Sequence, residues 1–290
     1  MEPNNTASQA HTAGASGDER EYLLGAHEEE LARLGLQHRL WADAAHAIWR
    51  RAHLSPGETV LDLGSGPGFA SIDLAEWIGP RGRVVAIDEN RAFVDRLRAV
   101  AEAAGQSNIE VFQGDVGEVS RATGLAERSV DLVWCRWVLC FVGHVQRAVD
   151  DLARLVRPGG RVVVQDYFNY DSMTLGPRRP DFTVGIQRIS NAFRATGGDP
   201  DIMGTLPSML RAAGFDIVHF APLQRVARPG TSMWAWPTTF WSSFLPRMVE
   251  LGHMAPGERD AFLADWDEAC QDPDAFMHLP TVYELIAERR

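Results

Sequence analysis

An aspartate and three glycines alternate in Val60-Leu61-Asp62-Leu63-Gly64-Ser65-Gly66-Pro67-Gly68. Glycines behind a short apolar run let the backbone turn tightly and pass close to a ligand, and a helix starting there would offer unpaired N–H groups to it. Any tight turn can use glycine, so the spacing has to narrow the chemistry. A dinucleotide fingerprint asks for Gly or Ala at position 69, where this chain has Phe69. Further acids end apolar runs downstream. Asp88 and Glu89 follow Val84-Val85-Ala86-Ile87, and Gln113-Gly114-Asp115-Val116 follows Val111-Phe112. A carboxylate accepts two hydrogen bonds side by side, which suits two adjacent hydroxyls.

The elements that must position these residues follow from periodicity. Leu31, Leu34, Trp41, Ala45 and Ile48 recur at helical spacing behind Glu28 to Glu30, predicting an amphipathic helix from Glu28 to Trp49 with acids at its positive end. Short β-rich runs then alternate with helical ones. Strands are expected at Thr59 to Leu63, Arg83 to Ile87, Asn108 to Phe112, Val130 to Trp134 and Arg161 to Gln165, with helices between them. That alternation means βαβ units and a parallel sheet covered on both faces. Farther on, helices are expected at Asp181 to Thr196 and Pro207 to Ala213, and strands at Phe215 to Phe220 and His278 to Ala287. The stretch Met233 to Trp241 carries three tryptophans, a phenylalanine and a proline.

On these residues the chain resembles the class I S-adenosylmethionine-dependent methyltransferases, in their small-molecule branch of UbiE-like and natural-product members. Asp62, Gly64, Gly66 and Gly68 match the family's first motif position for position, with Ser65 inside the loop. The resemblance implies that Asp88 and Glu89 hold the ribose, that Gly114, Asp115 and Val116 meet the adenine, and that Cys135 and Arg136 in Val130-Asp131-Leu132-Val133-Trp134-Cys135-Arg136 lie beside the methionine moiety. Leu155-Val156-Arg157-Pro158-Gly159-Gly160-Arg161 resembles the turn into the fifth strand. It further implies a Rossmann-like α/β fold with a doubly wound seven-stranded sheet, order 3-2-1-4-5-7-6, the last strand antiparallel. An N-terminal helical cap would bring Tyr22 and Gln37 over the cofactor.

Methyl transfer from a sulfonium is an in-line displacement that needs alignment more than acid–base power. A hydroxyl acceptor would also want a base. Asp166 and Tyr167, ending the fifth strand, and His144, after the fourth, are the candidates. Phe168, Trp234, Trp236 and Trp241 are expected to line an apolar or aromatic acceptor pocket built by the C-terminal half. No metal is expected, because Cys135 and Arg136 stand where metal-dependent relatives carry acidic ligands.

Composition bounds the rest. The 290 residues carry 28 basic and 39 acidic side chains, a net charge of −11. Such a surface repels phosphate backbones, which argues against nucleic acid. Every basic residue is Arg, which removes Schiff-base lysine chemistry and the P-loop lysine. Cys135, Cys140 and Cys270 lack metal-ligand spacing. Without a signal core after Met1 or an apolar run of about 18 residues, a cytoplasmic protein with no membrane partner is expected. The expected organisation is a disordered tail over 1–18 and one domain over 19–290: a cap (19–54), a cofactor core (55–167) and an acceptor-side half (168–290). A homodimer stays open. The expected activity is methylation of a small metabolite. The alternatives are a cyclase or decarboxylase that keeps the cofactor intact, and a non-catalytic cofactor-binding protein.

Overall fold

The computed structural model describes residues 28–290. The tail over 1–18 and Tyr22 lie outside the described residues. Helix α1 (Glu28–Arg51) precedes five parallel strands: β1 (Thr59–Leu63), β2 (Arg83–Asp88), β3 (Ile109–Gln113), β4 (Val130–Arg136) and β5 (Val156–Tyr167). Helices α2 (Phe69–Ile78), α3 (Arg91–Ala103), α4 (Val119–Thr123) and α5 (Val145–Leu155) connect them. The central strands read as unbroken apolar runs because both faces are covered. Val60, Val84, Leu132, Trp134 and Val163 pack with Ala45, Ile48 and Trp49 of α1 on one face. Leu61, Val85, Val133, Cys135 and Val164 pack with Val149 and Leu152 of α5 on the other.

After α6 (Pro180–Ala195) and α7 (Leu206–Ala212), strand β7 (Phe215–Leu223) runs to the far edge of the sheet. The closing strand β10 (Val282–Arg289) inserts between β5 and β7, antiparallel to both. The sheet order is β3-β2-β1-β4-β5-β10-β7, the expected topology. The single strand expected from His278 to Ala287 divides in two. Pro280 has no N–H for a ladder, and Phe276–His278 instead forms β9, the centre of a small antiparallel sheet with β6 (Thr174–Gly176) and β8 (Val226–Ala227).

The aromatic stretch belongs to α8 (Ser232–Glu250), a helix that runs through Pro237 and Pro246. Each proline removes one ladder N–H. Thr238 Oγ1 donates to the Trp234 carbonyl and Ser243 Oγ to the Thr239 carbonyl, local bonds from side chain to backbone within the same helix. Helices α6, α8 and α9 (Pro256–Gln271), with the small sheet, enclose a second core rich in Trp and Phe. Among the described residues no helix is long and apolar enough to cross a membrane.

Candidate active site

The carboxyl ends of the parallel strands meet the loops at one edge of the sheet, where open α/β folds bind ligands. Asp62, Asp88, Arg136 and Tyr167 stand there at the ends of β1, β2, β4 and β5, and Asp115 lies just beyond β3. The loop after β1 is pinned from below, since the Gly64 and Ser65 N–H groups both donate to the Ile87 carbonyl, at 2.9 and 3.0 Å. A Cβ on Gly64 would lie 2.4 Å from Val138, and one on Gly68 2.2 Å from Leu97. Gly66, at φ +53°, differs: a Cβ there would meet no atom within 4 Å. The first and third glycines therefore serve packing, and the middle one faces open space.

Asp88 closes the loop. Its Oδ2 accepts from Gly66 N at 2.7 Å and its Oδ1 from Asn90 N at 2.9 Å. Burial raises its carboxyl above the usual range, although both N–H donors oppose this. Asp62 is 2% exposed and accepts from Ser71 Oγ at 2.5 Å. Burial pushes its carboxyl up to about 6, against the opposing Ser71 hydrogen bond and the Arg136 charge.

A continuous cavity of about 310 Å³ opens above this loop. One half is bounded by Asp62, the glycine loop, Asp88, Glu89, Asp115 and Val116. The other half is aromatic, with Trp137 stacked between Tyr167 and Trp236 at ring separations of 6.0 and 5.7 Å. Tyr170, Phe193, Phe240 and Trp241 continue that wall. Burial raises the phenols of Tyr167 and Tyr170 well above their ordinary value, so both are protonated donors at neutral pH. Gln37 spans the two halves. Its Oε1 accepts from Trp236 Nε1 at 2.8 Å and from Arg33 Nη1 at 3.1 Å, which assigns the amide orientation and leaves Nε2 to donate elsewhere. Arg33 is itself held by a bidentate pair with the buried Glu30, at 2.6 and 2.7 Å.

Several sequence-derived candidates come together in this cavity: Gln37, Asp62, Gly64, Ser65, Gly66, Asp88, Glu89, Asp115, Val116, Arg136, Tyr167, Trp236 and Trp241 all line it. Others do not. Strand alternation puts Asp166 and Tyr167 on opposite faces, so Asp166 is fully buried and accepts from the Cys140 and Tyr167 backbone N–H groups at 3.2 and 2.9 Å. The same alternation turns Cys135 into the α5-side core and Arg136 into the cavity. His144 is exposed and borders a separate shallow cleft. Gly114 and Gly68 pack against Ala122 and Leu97. Phe168 is 38% exposed and packs on Tyr283. Trp234 stacks on Trp266 at 4.3 Å and donates to Cys270 Sγ.

Sequence reasoning missed Arg33, His38 and Trp137. Arg33, Gln37 and His38 interrupt the apolar stripe of α1 at helical spacing, and that interruption was the available signal. His38 bridges Arg136 and Asp73: Arg136 Nη2 lies 3.2 Å from His38 Nδ1, and His38 Nε2 lies 3.0 Å from Asp73 Oδ2. Among the described residues no His/Cys/Asp/Glu cluster could hold a metal ion.

Residues 54–191 match the model of a methyltransferase domain family. An arsenite methyltransferase of Halobacterium salinarum is 31% identical over 171 residues, covering 59% of this chain and 40% of the relative. A ubiquinone/menaquinone biosynthesis C-methyltransferase UbiE of Legionella pneumophila is 26% identical over 197 residues, covering 60% and 75%. The chain thus spans less than half the length of the relatives it matches at 30–31% identity. The [4+2]-cyclase SpnF shares the fold at 17% identity and a TM-score of 0.54, covering 94% of this chain and 85% of that one.

Strand order, glycine loop and strand-end acids are those of a class I S-adenosylmethionine-dependent methyltransferase domain, and residues 54–191 match a methyltransferase-domain family. S-adenosylmethionine is its cofactor. The residues present fit that group. Gly66 opens onto the cavity, Asp88 has acceptor capacity beyond its two backbone donors, and the buried Ser65 hydroxyl is left without a partner.

Proposed function

We propose that the chain transfers a methyl group from S-adenosylmethionine to a small, largely apolar or aromatic metabolite. The observation that carries this reading is the single cavity joining the glycine loop and Asp88 to the wall of Trp137, Tyr167, Trp236 and Trp241. When bound, the cofactor supplies an electrophilic methyl on a sulfonium. The protein's part is placement. Asp88 and Asp115 hold the adenosyl portion, the glycine loop lets it sit close to the backbone, and the aromatic walls orient a flat acceptor while excluding water.

Among the described residues lining the cavity, the imidazole of His38 is engaged at both nitrogens by Arg136 and Asp73, the carboxylates Asp62, Asp88, Glu89 and Asp115 belong to the glycine-loop half, and the two phenols of the aromatic wall stay protonated. Gln37, Tyr167 and Tyr170 act there as hydrogen-bond donors. This favours an acceptor that presents oxygen lone pairs and a nucleophile needing no strong base, such as an electron-rich ring carbon or an acidic hydroxyl. Incubating the protein with labelled S-adenosylmethionine and a panel of phenolic and polycyclic acceptors tests this. Methylated product with equimolar S-adenosylhomocysteine is expected, and no transfer to any acceptor despite cofactor binding would count against it. The lack of a base equally favours a second reading, in which the cofactor stays intact and the cavity shapes a substrate for cyclisation. Product formed without S-adenosylhomocysteine would select it.

A further inference from the structure

Tyr167 and Tyr170 both line the aromatic half of the cavity, their rings edge to face at 5.2 Å and 82°. Their backbone N–H groups are engaged by Asp166 Oδ1 and Asp201 Oδ1, yet among the described residues neither phenol has a hydrogen-bond partner. The indole N–H groups of Trp137 and Trp241, on two further lining rings, are also buried without a partner among the described residues. Together with Gln37 Nε2, this half of the cavity is a set of donors in want of an acceptor.

The charges nearby point the same way. Arg33 of α1 lines this half, donates to Gln37 Oε1 and sits over the Phe240 ring at 5.7 Å, while its partner Glu30 is not part of the wall. Its charge opposes the burial that raises the Tyr167 phenol. Arg136 of β4 is within electrostatic reach of Tyr167 as well. The other titratable groups around the two phenols are Cys140, Asp166 and Asp171. Burial keeps the Cys140 thiol protonated. Asp166 gives one oxygen to each of two backbone N–H groups on the opposite face of β5, and Asp171 is exposed. The carboxylates of the cavity belong to the glycine-loop half.

We infer that the acceptor is a phenol or enol bound in its ionised form, with the anionic oxygen on the hydroxyls of Tyr167 and Tyr170; the inference rests on the acceptor reading above. Donors without a base suit a group that has already shed its proton. The transfer then balances by itself. The C–S bond of the sulfonium breaks and its electron pair stays on sulfur. An electron pair of the anion, on oxygen or on the carbon conjugated to it, forms the new bond to the methyl. One positive and one negative charge disappear together, so no proton has to move in that step. A cavity closed to water strengthens the attraction between those charges. Burial alone works the other way and would keep an acidic hydroxyl neutral, so the donors must reverse it. Tyr167 and Tyr170 thereby set specificity: phenols and enols are admitted, and aliphatic alcohols, which do not ionise near neutral pH, are not.

The test uses the full chain loaded with S-adenosylhomocysteine, which has neither a methyl to give nor a sulfonium charge. The probe is para-nitrophenol, whose phenolate absorbs apart from its phenol, and para-nitroanisole, with no proton to lose, is the control. Difference spectra across pH should show the acid dissociation constant of bound para-nitrophenol raised about 10-fold over the free dye, the gain of a charged over a neutral hydrogen bond. Tyr167→Phe should abolish that rise and Tyr170→Phe should reduce it, with para-nitroanisole binding unchanged in both. If Tyr167→Phe does not melt cooperatively, Tyr170→Phe carries the comparison. Bound dye that ionises no more readily than free dye in the wild type would overturn the proposal, because burial alone gives that result. A rise kept in full by the folded variants would place the anion elsewhere and overturn it too. Wild-type protein that binds S-adenosylhomocysteine but neither dye would instead sink the aromatic-acceptor reading itself, and the proposal with it.

Discussion

Asp88 does two things at once. Its oxygens anchor Gly66 and Asn90, and in the proposed reading they also face the ribose. Replacing it therefore loosens the loop as well as removing a ligand contact. Asp88→Ala should weaken S-adenosylhomocysteine binding about 10- to 100-fold, and Asp88→Asn, which keeps one acceptor oxygen, by less. Calorimetry reads the affinities and hydrogen exchange at the Gly66 amide reads the loop. Wild-type affinity in Asp88→Ala would remove the residue from the site. Asp166 makes a different prediction, since burial raises its carboxyl to about 6 from an ordinary 3.8. The folded state then holds this proton more tightly than the unfolded chain. Its contribution to stability falls as pH rises from about 4 to about 6 and is level above that, by up to about 3 kcal/mol. Asp166→Asn lacks this loss, so its stability relative to wild type should improve between pH 4 and pH 8 in urea unfolding. A pH-independent gap would contradict the assignment.

Among the elements, the aromatic half depends on close helix packing. Gly185 lets α6 approach α9, where an added Cβ would lie 2.2 Å from Phe262 Cδ2. Phe262 is fully buried and stacks on Phe182 at 4.8 Å, so it has little room to move. Gly185→Val should destabilise the protein by about 1–3 kcal/mol through overpacking, several degrees of Tm at this size. An unchanged Tm would show that α6 and α9 slide apart cheaply. The Gln37–Trp236 bond links α1 to α8 across the cavity. The two helices that close the site are thereby joined by a side chain that also lines it.

The molecule closes its sheet with the last residues of the chain. Strand β10 pairs with β5 from Val282 to Glu288 and with β7 from Val282 to Arg289. Without it, β5 and β7 would each present a bare edge where the sheet should be continuous. A chain ending at Thr281 should fail to fold, giving aggregated protein without a cooperative melt. A soluble, cooperatively melting truncation would show that the cofactor half is stable without closure. The same topology makes the pairing non-local, so slow folding is expected relative to a helical protein of equal size.

The cofactor half was legible because its requirements are local. A tight turn over a ligand needs glycine, a strand buried on both faces reads as an apolar run, and Asp62, Asp88 and Asp115 fall at fixed places within those patterns. Parallel βαβ units followed from the alternation alone, whereas the order of the strands came with the family resemblance. The acceptor half was not legible, because its residues meet through packing between distant segments. Asp166 and Tyr167 are neighbours, as are Cys135 and Arg136. Alternation requires each pair to split between faces, yet only the layers over the sheet decide which member faces the cavity. Trp234 and Trp236 likewise sit on one helix, and the position of α9 determines that the first stacks on Trp266 while the second reaches Gln37. The composition of the aromatic wall was written in the sequence. Its orientation was set by tertiary packing, where burial of large rings outweighs any local preference of the chain.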